Sequence, residues 1–201
     1  MNFPSPFRKP PRSIDDLFEA GKVHADRELR TRGHVHPAFL LLAANGQSGA
    51  CFFQNGGLNA REKETFARIC RTVAFAANAV ASVLVLEIWM SAEMVPPGVD
   101  VSDYRPTVMP SQNPERTEAI ALVGETRGRA AARCLPIVRY DNRKFHALGD
   151  PLPGFDTGDG WHVGGIFSPI LPPYEVPDEM RQFARATLDR FGIDFQRILF
   201  T

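Results

Sequence analysis

Glu87 is the residue most able to do chemistry in this chain. It is a lone carboxylate inside the apolar run Val83-Leu84-Val85-Leu86-Glu87-Ile88-Trp89-Met90. An unpartnered ionised carboxylate in a protein interior is costly, so a strand of this kind demands that Glu87 be paired, hydrogen-bonded or protonated. The segment Ser111-Gln112-Asn113-Pro114-Glu115-Arg116-Thr117-Glu118 follows about twenty residues on and supplies a cation and further carboxylates. Arg116 and Arg133 are the expected side-chain partners of Glu87, with backbone donors from the long 91–114 stretch as the alternative. Glu87 and Glu118 on neighbouring strands could instead hold a hard divalent cation and activate water, with Arg116 beside them.

His34-Val35-His36 adds two imidazoles on one side of an extended segment, a spacing found in zinc and iron sites. No third ligand stands at a fixed spacing from them, so the pattern alone assigns no metal. His-x-His-Pro also occurs in JAB1/MPN-type metalloproteases, but the Ser-x-x-Asp that should follow is missing. Trp89, Tyr104 and Arg116 are the candidates to line a ligand pocket beneath the stretch from 91 to 114, which carries five prolines and is long for an irregular connection. Asp156 and Asp159 lack the further acidic positions of an EF-hand. There is no nucleophile elbow, phosphate-binding glycine loop or dinucleotide fingerprint.

The elements that must position these residues follow from periodicity. Residues 1–12 form a proline-rich arm and 13–201 one α/β domain. Ser13 with Asp16 three residues later predicts the start of a first helix, and Gly33 its end. Residues 37–44 and 50–54 read as strands joined at Asn45-Gly46, a pair that favours positive φ at both turn positions. Asn59 and Glu62 cap a second, alanine-rich helix reaching Val80, one of whose sides a partner subunit could cover. Strands follow at 83–90, 117–125 and 130–140, with Pro136 predicting an edge position or a bulge in the last. Residues 144–148 add a possible short strand. An irregular Gly/Pro-rich segment at 149–177, anchored by Trp161 and Phe167, leads to a C-terminal helix over 178–200 interrupted near Gly192.

The order α-β-β-α-β-β-β-α predicts an α/β fold of the α+β type: a mostly antiparallel five-stranded sheet, profilin- or roadblock-like, with helices packed on it. Such sheets host unrelated activities, so the fold alone assigns none.

Glu87-Ile88-Trp89-Met90, followed by Ser111-x-x-Pro114-x-Arg116-x-Glu118 and a strand-turn-strand, resembles an uncharacterised group of small bacterial and phage-borne proteins. Their Asn-Gly or Asp-Gly hairpin also precedes the helix. The resemblance spans roughly residues 34–148 and implies no activity, cofactor or substrate.

Composition narrows the classes. With 201 residues and 44% hydrophobic content the chain can bury a core. Its 23 basic and 23 acidic residues cancel, which argues against nucleic acid as a partner, although Arg127, Arg129, Arg133, Arg139, Arg143 and Lys144 could form a local basic edge. No apolar run approaches the roughly 18 residues of a membrane span, and the N-terminus has no signal-peptide pattern. Cys51, Cys70 and Cys134 read as buried free thiols, and the expected location is cytoplasmic. The favoured expectation is a non-catalytic binding or assembly protein, homodimeric and without a cofactor. A metal-dependent hydrolase, nuclease-like, using Glu87, Glu118 and His34 or His36 is the first alternative. A small-ligand sensor is the second.

Overall fold

The computed structural model describes residues 6–7, 9–53, 60–90, 108, 112–152 and 169–200. The elements, in chain order, are α1 (Ile14–Arg32), β1 (Ala38–Ala43), β2 (Ser48–Phe52), α2 (Ala60–Ala77), β3 (Ala79–Met90), β4 (Thr117–Thr126), β5 (Arg129–Arg139), β6 (Phe145–Leu148), α3 (Asp178–Arg190), a 3-10 turn (Phe195–Arg197) and β7 (Leu199–Phe200).

Helix α1 begins and ends where local chemistry dictates. The Ser13 hydroxyl accepts from the Asp16 N–H while the Asp16 carboxylate accepts from the Ser13 N–H, a reciprocal capping box. Gly33, at φ 78°, closes the other end by donating its N–H to the Leu29 carbonyl.

β1 and β2 form a hairpin around Asn45-Gly46, but only Gly46 takes a positive φ, of 82°. The Gln47 carbonyl accepts from Ala43 and the Asn45 side chain accepts from the Gln47 N–H, so the turn is longer than the two-residue form. Its glycine alone needs the left-handed region.

The sheet is antiparallel throughout, in the order β6-β5-β4-β3-β1-β2-β7. Five strands were expected; among the described residues there are six, with the two-residue β7 as an outer seventh. The short strand at 145–148 is one addition. The other arises because the C-terminal helix stops at Arg190: Gly192 takes φ 71°, and the chain returns to pair Leu199 with Gly49. Strand β3 also starts earlier than expected. Asn78, at φ 50°, breaks the alanine-rich helix, so that Ala79 already pairs with Ala43. The profilin-like order is not reproduced.

Pro136 sits in β5, an inner strand. Within an antiparallel strand a residue's N and C=O point to the same side. The Pro136 carbonyl accepts from Gly149, just past the end of β6. Its missing N–H therefore faces that outer side, and the ladder to β4 loses nothing.

The two faces of the sheet carry separate cores. On one, α1 packs Leu17, Phe18, Ala25 and Leu29 against Leu40, Val83, Val85, Ile120 and Leu122. Helix and sheet approach closely here: a Cβ on Gly124 would lie 2.4 Å from the Phe18 ring, so only glycine admits that ring. On the other face, α2 and α3 cover Phe39, Leu41 and Leu84. Two buried polar residues tie the segment before α3 to this face. Glu125 accepts from the N–H groups of Ile170 and Leu171 at 2.8 and 3.0 Å, and the Asn78 carbonyl oxygen accepts from Val176 and Arg127.

Candidate functional site

Alternation along β3 puts Glu87 on the α1 face with Val83 and Val85. It lies where α1 hands over to β1, and it is half-buried. Its partner differs from the expected one. Glu87 Oε2 accepts from the backbone N–H of Val35 at 2.7 Å. Arg133 is turned away, pairing with Asp15 at 3.0 Å and lying over the Phe18 ring. Arg116 lies over the Trp89 ring, 4.3 Å from its centroid. The connection from α1 to β1 runs past β3 here and offers the Val35 backbone donor. The carboxylate is held as expected, by a segment before the sheet rather than by the strand after it.

Trp89 lies opposite Glu118 on β4, and Glu87 lies opposite Ile120, so the two carboxylates are diagonal neighbours on one face. Glu118 is engaged by Arg139, whose Nε donates to Oε2 at 2.6 Å. Arg139 also reaches the Gly33 carbonyl at 3.5 Å. Trp89 and Arg116 are thus brought together as expected, whereas Tyr104 and most of the 91–114 stretch lie outside the described residues. So do Asn59, Asp156, Asp159, Trp161 and Phe167.

His34 and His36 meet at the same corner, with ring centroids 4.9 Å apart. Val35, between them, is fully buried and directs the two imidazoles to the other side. His34 Nδ1 is 3.2 Å from the Arg32 carbonyl, and His36 Nδ1 is 2.8 Å from Glu28 Oε2. A carbonyl only accepts, so His34 Nδ1 carries the proton; His36 Nδ1 also lies 3.1 Å from Arg32 Nη1, a donor, and it donates to Glu28 in the tautomer that satisfies the shorter of its two contacts. Arg32 shares the Glu28 carboxylate at 3.2 Å.

Glu28 and His24 are the residues sequence reasoning missed. Both are buried, at 4% and 0% exposure, on a helix end that reads as solvated. The signal was present: His24, Glu28 and Arg32 recur every four residues, a polar stripe beside the apolar stripe of Leu17, Gly21, Ala25 and Leu29. His24 Nε2 lies 3.5 Å from the His36 carbonyl, its ring packs on Phe52, and its Nδ1 has no partner among the described residues. Burial lowers the His24 pKa to about 4, partly opposed by the Glu28 charge.

Among the described residues no group of three or more His, Cys, Asp or Glu side chains is placed to hold a metal ion. Two of the six cations of the basic edge, Arg133 and Arg139, pair with carboxylates, and Arg127 bonds the neutral Asn78 side chain. All three cysteines are free thiols, and no described helix is long and apolar enough to cross a membrane. No protein-family model, curated protein or solved structure matches the chain.

Proposed function

We propose that this chain is a non-catalytic binding and assembly protein that pairs with a second copy of itself through the outer faces of α2 and α3. One observation carries the reading: those helices enclose an open groove of about 500 Å³, and Phe183 on its rim is 72% exposed. Phe75, Met180 and Ala184 line the same groove, and Met180 is also exposed. A phenylalanine this exposed, beside further apolar side chains, is the kind of surface that protein contacts bury.

Charge favours a copy of the same chain as the occupant. Arg68 and Arg71 stand on the α2 wall and Glu179 on the α3 wall. In a two-fold pairing, residue i of one copy meets residue j of the other and the reverse, so a groove carrying opposite charges on its two walls can complement itself.

The acidic residues that suggested chemistry have structural partners in the same fold. Glu87 ties the α1–β1 connection to the sheet, and Glu118 on β4 accepts from Arg139 on β5. Three free thiols fit a reducing compartment, in keeping with a cytoplasmic location.

Light scattering over a concentration series tests the reading. The chain should move from monomer to dimer as concentration rises through the micromolar range, and Phe183→Asp should hold it monomeric while its circular dichroism and melting stay unchanged. A wild-type chain that stays monomeric throughout, or a Phe183→Asp variant that dimerises equally well, would overturn it.

A further inference from the structure

We infer that His34 and His36 form a two-imidazole site for a borderline divalent transition-metal ion, with Zn2+ as the ion to test. The argument is independent of the assembly reading, since these residues lie on the opposite face of the sheet from α2 and α3.

The first support is spacing. A cation about 2.0–2.1 Å from each ring nitrogen, with an N–metal–N angle between roughly 90° and 109°, holds two imidazole centroids about 4.5–5.2 Å apart. The observed separation is 4.9 Å. The backbone sets it: His34 and His36 flank Val35, whose burial fixes which side they occupy.

The second support is the environment of the nitrogens that would not bind. Metal-ligating histidines characteristically donate their other N–H to a carbonyl or a carboxylate, which fixes the tautomer and raises ligand basicity. His34 meets the Arg32 carbonyl in this way and His36 meets Glu28. In His34 Nε2 is then the nitrogen that carries a lone pair, and in His36 it is so in the tautomer whose Nδ1 donates to Glu28, at 2.8 Å, rather than accepting from Arg32 Nη1, at 3.1 Å. Glu28 is almost fully buried, so the carboxylate orienting His36 is held in place by the helix that carries it. His36 also makes further contacts, among them Arg32 Nη1 at 3.1 Å from Nδ1.

Two imidazoles suit Zn2+, Cu2+ or Ni2+ rather than Mg2+ or Ca2+, which prefer oxygen. They leave the remaining coordination positions to water or to an exogenous ligand. Glu28 acts through His36 and is a positioning residue.

Titration calorimetry of the full chain with ZnCl2, checked by native mass spectrometry, tests the site. One Zn2+ should bind per chain at tens of micromolar free metal, and MgCl2 should give no heat. His34 is exposed, so His34→Ala should leave the melting temperature unchanged and abolish binding in that range. Glu28→Gln should weaken binding about tenfold or more while both imidazoles remain. His146→Ala, at an exposed histidine stacked on Tyr140, should bind as the wild type does. The inference fails if the wild type takes up no Zn2+, if His34→Ala binds undiminished, or if His146→Ala is the variant that loses the ion.

Discussion

Acidification should loosen the joint between α1 and β1 through His24. The ring is fully buried, its Nδ1 has no partner among the described residues, and the His36 carbonyl stands 3.5 Å from Nε2. Protonation would put a cation into this space. Burial dominates that cost; Glu28 and the His36 carbonyl oppose it, Arg27 and the His36 ring add to it, and the folded-state pKa falls from 6.5 to about 4. The sign follows from proton counting. Between these values the unfolded chain holds a proton at His24 that the folded chain does not, so stability is complete above about pH 7 and declines as pH falls toward 4. A difference of about 2.5 pKa units is worth about 3 kcal/mol at 1.36 kcal/mol per unit. Urea denaturation at several pH values between 8 and 4, with a chelator present, gives the wild-type curve. His24→Gln removes this titration and leaves the carboxylates and the other histidines in place. Subtracting the two curves should leave a decline of about 3 kcal/mol confined to that window. A difference that stays flat from pH 7 to 4.5 would refute the reasoning, since the cost of charging a buried imidazole would then be absent.

Two further outcomes are expected. Glu87→Ala removes the acceptor of the Val35 N–H and should lower stability by about 2 kcal/mol, as for a charge-assisted bond, with Glu87→Gln costing less because its amide oxygen can still accept; equal and negligible losses in denaturant titrations would show that the bond contributes nothing. Burial raises the thiol of Cys51 to about 12 and that of Cys134 to about 11, and pushes Cys70 well above its ordinary value. Native protein at pH 8 should therefore react with a thiol reagent far more slowly than denatured protein, at all three positions, and prompt labelling of any of them would contradict the packing.

What could be read from the chain divides along distance in sequence. The capping box of Ser13 and Asp16, the Gly33 stop and the strand character of 83–90 depend on neighbours within a few residues, and each is in the structure. The alanine-rich run is where local preference misleads. Alanine favours helix, so residues up to Val80 read as helical, yet Ala79 belongs to β3 because Asn78 turns the chain. Asn78 can hold that left-handed conformation in the interior because Val176 and Arg127, 98 and 49 residues away, satisfy its side chain. Nothing in the local pattern announces either partner. β1 pairing with β3 across the whole of α2, and β7 closing on β2 from the far end of the chain, were hidden for the same reason.

Glu87 shows how much of a site can be inferred from residue type and how much cannot. An acidic residue amid Leu86, Ile88 and Trp89 must have its charge answered, and that requirement is independent of topology. The identity of the answering group depends on topology entirely. Insertion of β1 beside β3 carries the start of the 34–37 segment to the end of β3, so a backbone N–H arrives where an arginine was expected. The same insertion explains why the polar corner has so many members. β1 can reach β3 only if α1 ends over this part of the sheet, and that ending gathers Glu28 and Arg32 from its last turns around His36, while the Val35 N–H meets Glu87 and the Gly33 carbonyl meets Arg139. One connection of five residues, 33–37, therefore sets the partner of Glu87, the orientation of both imidazoles and the burial of His24. The acid-stability experiment, the Glu87 variants and the Zn2+ titration all probe that single piece of chain from different sides.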